Sequence, residues 1–447
     1  DFLGGENNGS GQGWYDIAVG VDVNGTLYCS GVENYGAGGT QAIITSSNLG
    51  VIWTDISIVS SFEPHTDNHA IAFDSKNNML AGNDGGIFRY APAPPGWTDL
   101  NSNLNTIQFT GIGLHPTDLG TVVGGSQDNG TELYSDNILW VERGGGDGGV
   151  ARISQTNPLQ FFHEDIGAAF ERSDDGCRTF TVPIYSGLSA GSANFYAPYT
   201  LDPTDGDHIL YGTDYVNETT NAGSSWVATG VPGSNGFNPS NSDVDSIAVS
   251  PVNGSNPMVI YASVGGTFAD NSQIFVTSND GATWTEHDLP ACTVNYYKSL
   301  GCRVNQIVTD PNDPTGQTPF AVTNNLTGGG RHVYRTTNEG GSWIDITDNL
   351  PDSPTWSVQV DTDTNHTAYV SNETGVYSSP SPYSTWTPFG SGLPHTQGVD
   401  LELNSSLHVL AVGTHGRGVW EIQTLGNEAA TMSSPTPGSI LPGPNVT

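Results

Sequence analysis

Apolar residues in this chain come in short bursts, β-branched or aromatic, and each burst is closed by Gly, Pro, Asn or Asp. Ser246-Ile247-Ala248-Val249, Val259-Ile260-Tyr261-Ala262 and Ile274-Phe275-Val276-Thr277 form one such series, and a further strand begins at Trp284. Runs of this length and composition predict strands. No stretch sustains a 3.6-residue apolar period, so the pattern predicts very little helix.

The series is punctuated by a recurring turn. Thr277 to Trp284 matches Thr336 to Trp343 almost position for position; Thr219 to Trp226 repeats it, and Ser46 to Trp53 and Ser173 to Phe180 are looser copies. In each, a short polar side chain tightens the bend, glycine supplies a positive φ, and an aromatic ring covers the sheet edge. Units end near Trp53, Trp97, Trp140, Phe180, Trp226, Trp284, Trp343 and Trp386, and a last set of three strands runs from Val399 to Trp420. A β-helix would use shorter coils, and a row of sandwiches would need about 100 residues per module. The chain is therefore expected to be all-β, a single β-propeller of about nine four-stranded blades, or eight if the last set forms no sheet of its own.

A propeller also accounts for the length. A chain of 447 residues exceeds the limit of about 250–300 residues for one core, but each blade packs only on its neighbours. The expected organisation is an N-terminal segment over 1–13, a propeller over 14–425, and a Pro/Ser-rich linker over 426–447 leading toward a further module.

Two lysines and nine arginines leave a formal net charge of −35. Such a field disfavours nucleic acid and anionic membranes as partners, and no apolar run is long enough to span a bilayer. A start at Asp1 without a leader reads as a mature, secreted or cell-surface chain. Ten Asn-x-Ser/Thr triplets, Asn24, Asn129 and Asn217 among them, follow from Asn- and Gly-rich turns as readily as from glycosylation. Of the four cysteines, Cys292 and Cys302 bracket one insertion and are expected to pair. Cys29 and Cys177 are expected to be buried thiols too far apart to bridge. No Cys/His spacing suggests zinc.

Propeller geometry sorts the loops onto two faces. The tryptophan turns join third to fourth strands and occupy one. The other gathers Pro64-His65-Thr66-Asp67-Asn68-His69, Asn83-Asp84-Gly85-Gly86, Gln127-Asp128-Asn129-Gly130, Gly146-Asp147-Gly148-Gly149, His163-Glu164-Asp165 and Thr414-His415-Gly416-Arg417. Ring closure would return the last of these to the first two blades. Glycines beside the acids would let backbone approach a ligand and leave the carboxylates uncovered. Asp-Gly and Asn-Gly are also ordinary turn residues. What points to function is the confinement of the set to blades two to four and the closing blade.

The turns resemble the BNR, or Asp-box, repeat of sialidases, sortilin-type receptor propellers and xyloglucan-cleaving endoglucanases. The run from His65 through Asp84 and Asp128 to Asp147 is similar to secreted bacterial BNR proteins of the glycosyl-hydrolase-like group. Sialidase chemistry fits poorly, because it needs three arginines and an Arg-Ile-Pro segment, and Arg417 has no arginine companions. The xyloglucanase resemblance implies catalytic aspartates in Asp-x-Gly-Gly-like loops, which Asp84 and Asp147 match. That family, however, sets its substrate between two propellers, and a single one is expected here.

Two functions follow. The first is an inverting glycoside hydrolase acting on a neutral or cationic polysaccharide, with no cofactor: Asp147 as acid, Asp84 as base and Asp128 as modulator. His65, Asp67, His69, Gln127, His415 and Arg417 would bind substrate, and Trp14 and Tyr15 would stack on sugar rings. Crowded acids raise the pKa of one member, which keeps the donor protonated. The second is a non-catalytic glycan-binding or adhesive module of a larger surface protein, its acidic rim holding Ca²⁺.

Overall fold

The computed structural model describes residues 15–32, 42–102, 104, 106–136, 140–251, 258–265, 271–290, 302–325 and 331–424. The segment 1–13, Trp14, Cys292 and the tail 426–447 lie outside the described residues. Every described element is a strand, and no described helix is long and apolar enough to cross a membrane.

The strands form nine antiparallel sheets, eight of four strands and a last one of three. Within each sheet the strands follow sequence order, so every connection is a local reversal. The chain divides into two compact units, Asp1–Thr106 and Ile107–Thr447.

The first unit holds two sheets. Sheet 1 runs from strand Ile17–Val21 to strand Thr54–Asp55, and sheet 2 from Asn68–Phe73 to Pro95–Asp99. One apolar layer lies between them, with Tyr28, Ile43 and Ile56 from sheet 1 meeting Met79, Ala81, Phe88 and Trp97 from sheet 2.

The second unit holds seven sheets. Their first strands are Phe109–Leu114 (sheet 3), Ala151–Ile153 (sheet 4), Tyr199–Asp202 (sheet 5), Val244–Val249 (sheet 6), Val304–Thr309 (sheet 7), Thr355–Val360 (sheet 8) and Gly398–Asn404 (sheet 9). An apolar cluster fills each joint between successive sheets. One more joins Val409, Ala411 and Val419 of sheet 9 to Phe109, Ile112 and Leu114 of sheet 3. Sheet 9 thus packs directly on sheet 3, and the second unit closes as a ring of seven. The seven first strands surround a central cavity of about 890 Å³, to which Thr110, Arg152, Tyr199, Asp245, Trp356 and Asp400 contribute.

The repeated turns are alike in detail. In Thr277–Trp284 the Thr277 hydroxyl donates to Asn279 Oδ1 (2.9 Å) and accepts from Gly281 N (3.1 Å), while Thr283 N donates to Asn279 Oδ1 (3.0 Å). Ser46, Ser173, Thr219 and Thr336 repeat the pattern with Asn48, Asp175, Asn221 and Asn338. Two consecutive residues, Asp280 at φ 53° and Gly281 at φ 73°, occupy the left-handed region. A small side chain followed by glycine tolerates that best.

The tryptophans do more than cover their own sheet. The indole N–H of Trp284 reaches back to the carbonyl of Thr229 on the fourth strand of the preceding sheet (3.2 Å). Trp343 does the same to His287 (2.8 Å), Trp386 to Ile346 (2.8 Å), Trp226 to Ile184 (2.6 Å) and, in the first unit, Trp97 to Ile56 (2.7 Å). Each carbonyl lies at or just past a fourth strand. Trp140 follows a three-stranded sheet in the ring and packs on Phe109 and Tyr134 instead.

Candidate functional site

The residues singled out in the sequence fall into two groups, one in each unit. In the first unit, the connector into sheet 2 and its second-to-third loop bring His65, Asp67, His69 and Asp84 to the same end of the sheets as Tyr15 and Asp16. Asp84 is held on both oxygens: the Tyr15 hydroxyl donates to Oδ2 (2.9 Å), and His69 Nε2 lies 2.7 Å from Oδ1. The Tyr15 and His69 rings meet edge to face at 4.8 Å. Tyr15, expected to stack on sugar rings, is 45% exposed and is also a hydrogen-bond partner of the acid. Asn83 Nδ2 donates to the His65 carbonyl (2.6 Å) and Asn83 Oδ1 accepts from Gly85 N (3.2 Å), which fixes the loop carrying Asp84.

Beneath this lies a pair of carboxyls. Asp16 is fully buried and Asp67 nearly so, the latter at φ 54°. Burial, and then the charge of Asp67, push Asp16 up to about 7. Burial raises Asp67 as well. Two carboxylates so placed cannot both ionise cheaply, so below pH 7 one of them keeps its proton. Nothing in the local sequence marks Asp16, which precedes a strand without a turn motif.

In the second unit a line of carboxylates crosses three loops. Asp165 Oδ1 accepts from the backbone N–H of Asp147 (3.0 Å) and Ile166 (2.7 Å). Asp147 Oδ1 accepts in turn from the N–H of Asp128 (3.1 Å), itself at φ 63°. Asp128 and Asp147 are thus neighbours, as the common-rim reading expects. The glycines around them do something the sequence reading did not foresee. A Cβ on Gly148 would fall on the Gly130 carbonyl, and one on Gly125 on that of Gly149. They are bare because the backbones of sheets 3 and 4 touch there.

Tyr196 stands beside these acids and also lines the central cavity. Its phenol is raised by burial and then by Asp147 and Asp128. Glu164, fully buried, accepts from Val150 N (3.2 Å) and from the Tyr211 hydroxyl (3.1 Å). Burial lifts it to about 8, so at neutral pH it adds no further charge to the group. Tyr196 lies in a long loop with no motif, and sequence reasoning missed it. His163, read as part of the rim, is buried between Thr131 (2.9 Å) and the Phe180 ring (4.0 Å).

His415 and Arg417 occupy the loop between the last two strands. His415 Nε2 lies 2.8 Å from Gln108 Oε1, and Gly416 N donates to the Ile107 carbonyl (3.1 Å). The loop therefore returns to the entry of sheet 3, where the ring closes. Arg417 is exposed, bonds the Gly416 carbonyl (2.6 Å), and makes no ion pair among the described residues. Gln127 is exposed, and its carbonyl accepts from Asn129 Nδ2 (2.9 Å).

Cys302 is disulfide-bonded, and its expected partner Cys292 lies outside the described residues. Cys29, half-buried, and Cys177, buried, are free thiols. Among the described residues no three His, Cys, Asp or Glu side chains stand together as a metal site.

No protein-family model matches the chain, and no curated protein does. Among solved structures it is similar to the GH74 xyloglucanase from Xanthomonas campestris, with a TM-score of 0.54 and 14% sequence identity. The match covers 90% of this chain and 58% of the enzyme, so the chain spans little more than half of that protein's length. At this identity the likeness shows the fold, a β-propeller.

Proposed function

We propose that this chain is a secreted, carbohydrate-active propeller that cleaves a polysaccharide with carboxylates. The observation that carries the reading is the line Asp165–Asp147–Asp128, which gathers three acids from three loops beside the Tyr196 phenol. Hydrolysis of a glycosidic bond needs one protonated carboxyl at the leaving oxygen and one ionised carboxyl for water. A group in which burial holds Glu164 neutral while its neighbours stay solvent-accessible has the environment that separates those roles. Asp147 is our choice of donor, with Asp128 as its modulator. Asp84, oriented by Tyr15 and His69, is a separate candidate carboxylate within the first unit.

The test is a panel of polysaccharides with reducing-end release and binding scored separately. Asp147→Asn and Asp84→Asn should each lower release by about 100-fold or more while binding persists. Unchanged release in both variants would remove the catalytic reading. A second reading, a non-catalytic glycan-binding module related to the BNR, or Asp-box, propellers, has its own support. Asp165 and Asp147 spend carboxylate oxygens on backbone N–H groups, as turn-holding acids do. Binding without release selects it, and a chelator-sensitive melt would add calcium to it.

A further inference from the structure

Within the first unit, sheet 1 presents a face that no other described residue of that unit covers. Ile17, Val19 and Val21 alternate along its first strand at 51%, 64% and 56% exposure, while Ala18 between them is buried against sheet 2. The register places Val19 beside Cys29 and Val21 beside Leu27, and Cys29 in turn beside Ile44. These side chains form one uncharged apolar layer across three strands. Exposed rows of this kind mark interaction surfaces.

The tryptophan of sheet 1 says what fits there. Five later tryptophans give their indole N–H to a fourth-strand carbonyl of the sheet before. Four of them, Trp97, Trp284, Trp343 and Trp386, are at most 8% exposed. Trp53 occupies the same position in its turn, yet it is 38% exposed and finds no acceptor among the described residues. The turn itself is intact, with Ser46 and Asn48 bonded as in the other copies. Sheet 1 thus carries the tryptophan turn that links sheets 2, 5, 6, 7 and 8 to the sheet before, and within the first unit that side is open.

We infer that this face is a docking surface for a four-stranded antiparallel sheet of the same blade type, supplied from outside these 447 residues. The partner lays an apolar face on Ile17, Val19 and Val21 and presents a fourth-strand carbonyl to Trp53. The interface continues the sheet-on-sheet stacking already made between sheets 1 and 2. A second copy of the chain fits less well, because two bodies of formal charge −35 repel.

The test supplies such a sheet. A copy of residues 197–238, which spans sheet 5 with the Thr229 carbonyl that serves Trp284, is joined ahead of Asp1, so that residues 1–14 act as linker. Val21→Cys is introduced into the extended and the parent chains, and its reaction with a thiol reagent is timed; the chains without Val21→Cys set the background. Docking should slow labelling at least tenfold in the extended chain, and Val19→Asp should restore the parent rate. Equal rates in extended and parent chains overturn the inference, whether or not the added sheet folds by itself. Concentration-dependent dimers of the parent chain that Val19→Asp abolishes would give the face to a second copy and overturn it equally.

Discussion

Arg152 Nη1 donates to Asp400 Oδ2 at 2.8 Å, joining sheet 4 to sheet 9 across the entry to sheet 3. The same nitrogen donates to the Ile112 carbonyl (2.6 Å), Asp400 Oδ2 accepts from Ile112 N (2.9 Å), and Arg152 Nε reaches Glu402 (3.3 Å). One guanidinium thus serves three sheets where the ring closes. Two carboxylates surround it, and burial raises Glu402 to about 7 even with the cation present.

Arg152→Ala should therefore be among the most damaging single changes. It leaves Asp400 and Glu402 buried without a counter-charge, at a cost of about 3–5 kcal/mol near neutral pH. The loss should shrink at pH 5, where Glu402 is protonated. Thermal melts of both chains at pH 5 and pH 8 measure this; an equal loss at both would show the pair to be electrostatically idle.

The tryptophan links separate into a ring and an N–H. Trp284→Phe keeps most of the buried ring but strands the Thr229 carbonyl, and should cost about 1 kcal/mol. Trp284→Ala also opens a cavity and should cost about 3–5 kcal/mol. Trp53→Phe, with no acceptor to lose, should be close to neutral in the isolated chain. Denaturant midpoints of the three variants give the ranking.

His208 is buried between Asp202 (3.1 Å) and Glu218 (3.0 Å). Burial opposes its charge, but the two carboxylates win and raise it to about 9. A histidine raised on folding contributes stability that is complete below its unfolded value near 6.5 and is lost as pH climbs through 9. Asp202 and Glu218 are lowered, so their share disappears at the acid end. Stability should fall by about 3 kcal/mol between pH 6 and pH 10, and His208→Gln should flatten that slope in a pH series of melts.

The buried carboxyl pair of the first unit has the same sign in a lower pH window. Asp16 is held near 7 against an ordinary 3.8, so the folded chain binds a proton that the unfolded chain has released. Stability is lost as pH rises across that window. Asp16→Asn should be neutral near pH 4 and stabilising at pH 8. A variant less stable than the parent at pH 8 would mean that the charge itself is structurally required.

What the sequence disclosed and what it hid divide along a physical line. The Thr277–Trp284 turn was legible because its bonds are local: Thr277, Asn279 and Gly281 lie within five residues. The sheets were legible for the same reason, since each is a run of adjacent reversals. Closure was not, because the contact between Ile112 and Asp400 is 288 residues long, and composition carries no trace of which sheet meets the last. Gly148 was misread for a related reason: a missing Cβ looks the same whether ligand or backbone fills its space. The proximity of Asp128 to Asp147 followed from topology, whereas Asp16 and Tyr196, set by packing, had no signal.

The last sheet has three described strands, so it offers Trp140 no fourth-strand carbonyl, and the junction between sheets 9 and 3 is pinned by charge and by loop 414–418 instead. A ring fastened at one clasp by ions and at others by buried indoles has unequal weaknesses. Removing the guanidinium of Arg152 should loosen the clasp and leave the rivets in place, and the toroid should begin to open there.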